Sequence, residues 1–276
     1  VDDQLREKLE EFATHGGAVI ASFESGFNWA TSAFALEPLG IRFRDEGPRA
    51  PDGRLARGRV FKRSDFAEYV VPRKRFGNDL APIEHVMYIR GMAVDSEADT
   101  EVLAETVSSH FDRSYRRFCS HLHAPSSGQT VGPAVTMRGR WIYFAHPIFT
   151  QYAQNAPRWI KLLLRDAVNI VLPDPVVTHR GPSSLRVTVN DQPDHNRLVI
   201  HLLHYIPERR SVDLDIVEDV VPLYDVPLSV RAEAGVRSVE LVPERIELEF
   251  KHTGQRCEFI VPKINGHQMV TLHYTS

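Results

Sequence analysis

The chain has 276 residues, a formal net charge of −3, 42% apolar residues and 25% charged residues. This composition is that of a globular protein with one large or two ordinary domains, long enough to bury a substantial core. The signs of charge are interspersed and no apolar run reaches the ~20 residues of a membrane helix, so we expect neither a nucleic acid nor a membrane as partner. The two cysteines, Cys119 and Cys257, fall in different predicted domains, so we expect no disulfide framework and favour a reducing, cytoplasmic setting.

The first residues predict a helix over 2–17 that leads directly into an apolar strand over 18–22. Leu5, Leu9 and Phe12 recur at helical spacing, and a Gly-Gly pair supplies the stop. A free-standing α/β domain normally opens with a strand that its first helix can cover. We therefore expect further strands upstream of this helix, and a domain that is cut at its start.

The remainder of the first 173 residues alternates helical and strand patterns. The first predicted strand, which begins at Ala18, is short and continuously apolar, and this is typical of a parallel sheet buried on both faces. In chain order we predict a helix over 29–39, a loop over 48–63, strands over 69–71, 86–89 and 102–108, a hairpin at Arg138-Gly139-Arg140 with its returning strand over 141–144, and an amphipathic helix over 159–171.

After the Pro173-Asp174-Pro175 turn the apolar period changes to two, which is the period of half-buried strands. Strands are predicted over 185–189, 198–205, 212–217, 226–230, 246–250, 259–261 and 270–274. About eight short strands in roughly 100 residues predict an antiparallel β-sandwich. The sequence thus predicts α/β then all-β architecture, with domains over 1–173 and 174–276.

A cluster of Cys119, His121 and His123, with His110 and Asp112 nearby, is the most chemically suggestive group. It is compatible with a metal site or with a Cys/His nucleophile pair. Its spacing matches no zinc pattern, however, and nothing supplies an oxyanion hole. Structural packing is the favoured interpretation.

The Ser-Phe-Glu-Ser-Gly segment over 22–26 follows a strand, where a nucleophile elbow would place its reactive side chain. An elbow needs glycine on both sides of the nucleophile and only Gly26 is present, so a helix cap is favoured. His201 and His204 are three residues apart in a strand and so face opposite ways.

Carboxylates and aromatic residues are the side chains that a sugar site would use. We weigh this interpretation against solvent exposure of the carboxylates and structural packing of the rings. The acidic residues of the alternating strands are expected on the solvent face, and the aromatic residues are expected to pack a helix onto its sheet. These residues are Asp213, Asp215, Glu247 and Glu249, and Trp141, Tyr143, Phe144, Phe149 and Tyr152.

Three segments resemble a known family: RRFCSHLHAP at 116–125, GRWIYFAHPIF at 139–149 and RLVIHLLHYIPER at 197–209. They are similar to the region downstream of the barrel in bacterial multidomain glycoside hydrolases, such as family-42 β-galactosidases and α-L-fucosidase-like proteins. The helix, Gly-Gly and strand of residues 5–22 also resemble the trimerisation domain of that family. The resemblance covers roughly residues 1–230.

The resemblance implies a flavodoxin-like domain of the class I glutamine amidotransferase type, without that family's nucleophile, followed by the sandwich. It implies self-association, with a trimer favoured, and the catalytic (β/α)8 barrel of the parent protein as partner. Because the barrel carries the two catalytic carboxylates, no catalytic residue, cofactor or metal ligand is assigned to this chain. The expected function is a non-catalytic oligomerisation and scaffold portion of a glycoside hydrolase. Alternatives are a self-contained Cys/His hydrolase and a carbohydrate-binding module, which would need a row of exposed aromatic side chains.

Overall fold

The computed structural model describes residues 1–44, 67–73, 75–111, 115–117, 124–232 and 235–275. The chain forms two compact units, Val1–Pro173 and Asp174–Ser276. None of the helices in the described ranges combines the length and apolar character that crossing a bilayer requires. The elements of the first unit are α1 (Asp3–Thr14), β1 (Val19–Ser22), β2 (Phe27–Asn28), β3 (Ala33–Phe34), β4 (Ile41–Phe43), β5 (Glu68–Pro72), β6 (His85–Met87), β7 (Val94–Ser96), β8 (Glu101–Ser109), β9 (Ser126–Arg138), β10 (Trp141–Phe144), α2 (Ile148–Asn155) and α3 (Arg158–Val171).

Six strands of the first unit form one sheet in the order β1-β10-β9-β8-β5-β6. The pairing of β1 with β10 is parallel, and the other four pairings are antiparallel. The predicted hairpin at Arg138-Gly139-Arg140 is confirmed, with Gly139 at a φ of 56° between β9 and β10. A two-residue turn joins antiparallel strands, whereas a parallel pair needs a crossover of a dozen or more residues.

The sheet is buried on both faces at β10, which explains why this strand is continuously apolar. Ile142 and Phe144 join a cluster with α3, whereas Trp141 and Tyr143 join a second cluster with the small strands β2 to β4. The amphipathic helix predicted over 159–171 is confirmed as α3. The first unit is therefore layered, with α2 and α3 on one face of the sheet.

The helix-to-strand start of the chain is also confirmed. The side chain of Asp2 accepts the N–H of Leu5 at 2.8 Å and so caps the first turn of α1. At the other end, the ring of Phe12 occupies the space that a side chain at Gly17 would need. Leu9 contacts the apolar cluster of Trp141, whereas Leu5 and Phe12 are 47% and 54% exposed.

The helix predicted over 29–39 is wrong, because this segment forms the hairpin β2–β3 and a short 3₁₀ turn at Glu37–Leu39. The side chain of Asn28 accepts the N–H of Ala30 at 2.9 Å, which offers the backbone a turn instead of a helical bond. Phe27 and Phe34 then meet across the hairpin with ring centroids 5.0 Å apart. The sequence pattern contained apolar residues at helical spacing, but local turn chemistry and this ring contact decide the structure.

The flavodoxin-like topology is not confirmed. A doubly wound sheet is mostly parallel, whereas the described strands of the first unit have a single parallel pairing, β1 with β10. Burial on both faces produces continuously apolar strands in either kind of sheet, so the sequence signal did not distinguish strand direction. The confirmed description is coarser: a strand-rich first unit with helices, followed by an all-β unit.

The second unit is built from strands β11 to β21. They are β11 (Val177–His179), β12 (Leu185–Gln192), β13 (Arg197–His204), β14 (Glu208–Arg209), β15 (Asp215–Ile216), β16 (Leu223–Arg231), β17 (Val236–Val242), β18 (Ile246–Glu247), β19 (Phe250–Thr253), β20 (Arg256–Ile264) and β21 (His267–Tyr274).

These strands form two main antiparallel sheets, in the orders β11-β16-β20-β19 and β12-β13-β21-β17-β18. Their inner faces share one apolar core, to which Leu228 and Phe259 contribute from the first sheet and Ile200 and Leu272 from the second. This is the arrangement of a β-sandwich. The strand predicted over 212–217 is reduced to Asp215–Ile216, which pairs with β14. Strand β17 was not predicted, although its residues alternate.

Asp166 on α3 holds a turn of the first unit through its buried carboxylate. Its Oδ2 accepts the N–H groups of Gly77 and Asn78 at 2.9 and 3.0 Å. Asp166→Ala leaves both donors without this acceptor, and we expect the free energy of unfolding to fall by about 3 kcal/mol. Urea unfolding followed by tryptophan fluorescence measures it, since all three tryptophans lie in the first unit. The neighbouring but exposed Asp79→Ala is the control, with an expected change below about 0.5 kcal/mol.

Candidate functional site

The Cys/His cluster lies largely outside the described residues. This applies to Asp112, Cys119, His121 and His123. Of the group, only His110 is described, and its backbone N–H donates to the carbonyl of Pro125 at 2.8 Å. The Cys/His hydrolase alternative therefore stays a hypothesis that solution chemistry has to test.

Thiol labelling offers that test, because the Cys257 thiol is not expected to react in the folded chain. Cys257 is fully buried, and burial together with the nearby Glu258 carboxylate raises the pKa of its thiol to about 11. The thiolate is the reactive form, so at neutral pH a thiol reagent reports on Cys119 alone. We expect slow labelling in the native chain and two thiols after denaturation. Rapid labelling of one thiol that disappears in Cys119→Ser would instead support a nucleophilic cysteine.

The segment over 22–26 forms a tight turn between β1 and β2, so the helix-cap interpretation is wrong. Phe23 has a φ of 55°, a conformation that costs free energy for a residue with a side chain. Its N–H donates to the carbonyl of Phe144, and the hydroxyl of Tyr143 donates to its carbonyl, both at 2.7 Å. A nucleophile elbow also strains one residue after a strand, but the strained residue here has no nucleophilic atom.

The remaining sequence candidates are largely placed as expected. His204 is buried and His201 lies on the opposite, outer face of β13, so they form no common site. Trp141, Tyr143 and Phe144 are core residues, but only Phe144 joins the cluster that packs α3 onto the sheet, as predicted. Trp141 and Tyr143 pack on the opposite face, against β2 to β4. The acidic residues at 213, 215, 247 and 249 are all exposed.

A buried charged cluster around Glu68 was not predicted from the sequence. Glu68, at the start of β5, is 8% exposed, and its Oε2 accepts the Nε2–H of His146 and the backbone N–H of Gly91, each at 2.9 Å. The guanidinium Nε of Arg90 lies 3.5 Å from Glu68 Oε1. The sequence features that could have indicated this cluster are Glu68 at the start of one apolar strand and His146 just after the end of another. Because this carboxylate is saturated with donors, the cluster fits structural support of β5 and β10.

A cleft of about 910 Å³ lies on the outer face of the sheet β11-β16-β20-β19. The register places Thr178, Ser229, Glu258 and Lys251 in one row across the four strands. Phe250 and Phe259 line this cleft but pack against the sandwich core, and the exposed Tyr224 of β16 does not line it. A sugar platform of exposed rings is therefore not formed here, which disfavours a carbohydrate-binding module.

One charged side chain of this cleft, that of Arg256, is held by structural contacts. Arg256 donates from Nε and Nη2 to the hydroxyl and carbonyl oxygens of Ser229, both at 2.8 Å, and forms an ion pair with Asp174. Burial lowers the pKa of His179, which lines the same cleft. Across the described ranges, no group of three or more His, Cys, Asp or Glu side chains is arranged to hold a metal ion.

Comparison with known proteins gives the clearest functional information. No protein-family model and no curated protein sequence matches the chain. Among solved structures, the whole chain aligns with 39% of α-L-fucosidase isoenzyme 2 from Paenibacillus thiaminolyticus, at 29% identity and a TM-score of 0.86. The resemblance to glycoside hydrolases is confirmed.

A second solved structure shares the fold at lower similarity. A β-galactosidase from Rahnella sp. R3 aligns over 98% of the chain and 30% of its own length, at 14% identity and a TM-score of 0.52. The chain thus corresponds to well under half of the length of each of these two enzymes.

Proposed function

We propose that this chain is a non-catalytic association and scaffold portion of a glycoside hydrolase. The observation that carries the proposal is the alignment of the whole chain with a 39% share of an α-L-fucosidase. In the family that the sequence resembles, the two catalytic carboxylates belong to a (β/α)8 barrel, which has eight parallel strands. The described strands have one parallel pairing, so the barrel is not among the folds that they form.

The proposed partner is a second and a third copy of the same chain, and the surface around α1 supports this. Among the described strands, β1 is at the edge of the six-stranded sheet, and the backbone groups on its outer side can bond to another chain. The exposed apolar side chains of Leu5 and Phe12 lie on the helix that immediately precedes it. Burial of these side chains and of this edge would favour association. The trimer itself, and kinship with the amidotransferase-like trimerisation domain, come from the family resemblance.

The catalytic barrel of a parent protein is the other proposed partner, since both solved neighbours are much longer than this chain. The cytoplasmic setting is part of the proposal and rests on the sparse cysteine content of the sequence. A scaffold role assigns no sugar-binding or catalytic residue to the chain itself.

Activity and mass measurements on the purified chain test the proposal. We expect no hydrolysis of aryl fucosides or aryl galactosides, because the catalytic carboxylates belong to the barrel. We expect light scattering to give three times the 31.3 kDa chain mass. Hydrolysis that disappears when one of the chain's own carboxylates is replaced would contradict the scaffold role. A monomeric mass at high protein concentration would contradict association.

A further inference from the structure

Two histidines meet on the outer face of the five-stranded sheet of the second unit. His201 is on β13 and His267 on the adjacent β21, with His201 opposite Met269 and His267 opposite Leu203 in the register. The imidazole rings are nearly parallel, with 4° between their planes and 5.5 Å between their centroids. Nδ1 of His201 lies 3.3 Å from Nε2 of His267.

This separation fits two ligands of one metal ion. Zinc–imidazole bonds are ~2.0–2.1 Å long, and two such bonds at a tetrahedral angle place their nitrogens about 3.3 Å apart. At this distance the two rings share a long hydrogen bond, one imidazole nitrogen donating and the other accepting, which a bound metal ion would replace. The two nitrogens therefore already have the spacing that a shared cation requires.

We propose that His201 and His267 form a two-imidazole chelate for a divalent transition-metal ion of the zinc type. Water would complete the tetrahedral coordination, since His267 is exposed and His201 is partly exposed. This site is independent of the scaffold role, because neither histidine belongs to the α1 surface of the first unit.

The sheet holds both ligands in place before the metal binds. Strands β13 and β21 pair in an unbroken register from Arg197–His273 to Leu203–His267. Ligands fixed on adjacent strands lose little conformational freedom on binding, which favours chelation. Imidazole nitrogen suits zinc, copper and nickel, whereas magnesium and calcium prefer oxygen ligands, so the site selects between these classes.

Zinc titration of the full chain, with any histidine tag removed, tests the proposal. The wild-type chain is expected to bind one Zn²⁺ per chain at this site, and Mg²⁺ in excess is expected not to compete. His201→Ala and His267→Ala should each weaken zinc binding by about tenfold or more, equivalent to ~1.4 kcal/mol. His273→Ala is the matched control, because His273 is on the same strand and face as His267 but its imidazole lies 4.0 Å from the Glu240 carboxylate.

X-ray absorption on the zinc complex gives a structural readout, with two imidazole nitrogens expected at ~2.0–2.1 Å. Circular dichroism checks that the alanine variants fold, and exposed positions on a sheet tolerate this change. Absence of saturable zinc binding would overturn the proposal. So would wild-type affinity in both His201→Ala and His267→Ala, or an equal loss in His273→Ala. Because glycosidase activity and chain mass are not part of this measurement, its failure leaves the scaffold proposal unaffected.

Discussion

Glu68→Ala is expected to lower the free energy of unfolding of the first unit by about 4 kcal/mol, in the range found when one partner of a buried charge pair is removed. The change leaves the buried N–H groups of His146 and Gly91 without their carboxylate acceptor. It also removes the charge beside the mostly buried Arg90. Tryptophan fluorescence during urea unfolding measures the loss, because all three tryptophans lie in this unit.

Two further variants separate the causes. Glu68→Gln keeps an acceptor oxygen but removes the charge, so its cost should fall between that of Glu68→Ala and zero. Glu101→Ala removes a carboxylate that pairs with Arg75 at the surface, and we expect a change of at most ~1 kcal/mol. If Glu68→Ala and Glu101→Ala have the same stability, the buried cluster does not support the fold in the way described.

Leu5→Glu is expected to convert the proposed trimer largely to monomer at micromolar concentration. Leu5 is exposed in the single chain, but association through the α1 surface would bury it, and a buried unpaired carboxylate is strongly disfavoured. We expect the association constant to fall about 100-fold, which is ~2.7 kcal/mol. Sedimentation velocity over a range of concentrations measures this change.

The matched control is Ile246→Glu, which introduces the same kind of charge at an exposed apolar residue of the second unit. Its mass distribution should equal that of the wild type, and Phe12→Glu should act as Leu5→Glu does. An unchanged trimer in Leu5→Glu and Phe12→Glu would place the interface elsewhere. Dissociation in Ile246→Glu would show that the effect is not specific to α1.

Elements governed by local periodicity were predictable. The α3 helix has a strongly one-sided apolar pattern, and the strands of the second unit alternate, so each carries its own period in a short stretch of sequence. The family resemblance was also available from the sequence, because three unusual segments carry it. The helix predicted over 29–39 does not form, and the reason is local: the turn formed by Asn28 competes with helical hydrogen bonds.

Contacts between distant residues were decided by tertiary structure alone. Glu68 and His146 are 78 residues apart, and His201 and His267 are 66 residues apart. Nothing in either local sequence identifies the partner, because strand order and register bring the two residues together. The sequence predicted a parallel sheet in the first unit, whereas four of the five described pairings are antiparallel, because strand direction also depends on distant segments.

The sequence by itself therefore determined the period of most elements, the sandwich character of the second unit and the resemblance to glycoside hydrolases. The tertiary structure decided the mostly antiparallel order of the first sheet, the buried cluster at Glu68 and the histidine pair. The physical reason is the sequence separation over which each interaction acts. Hydrophobic period acts within a turn or a strand, whereas sheet pairing and buried polar contacts depend on which distant segments the chain brings to the same place.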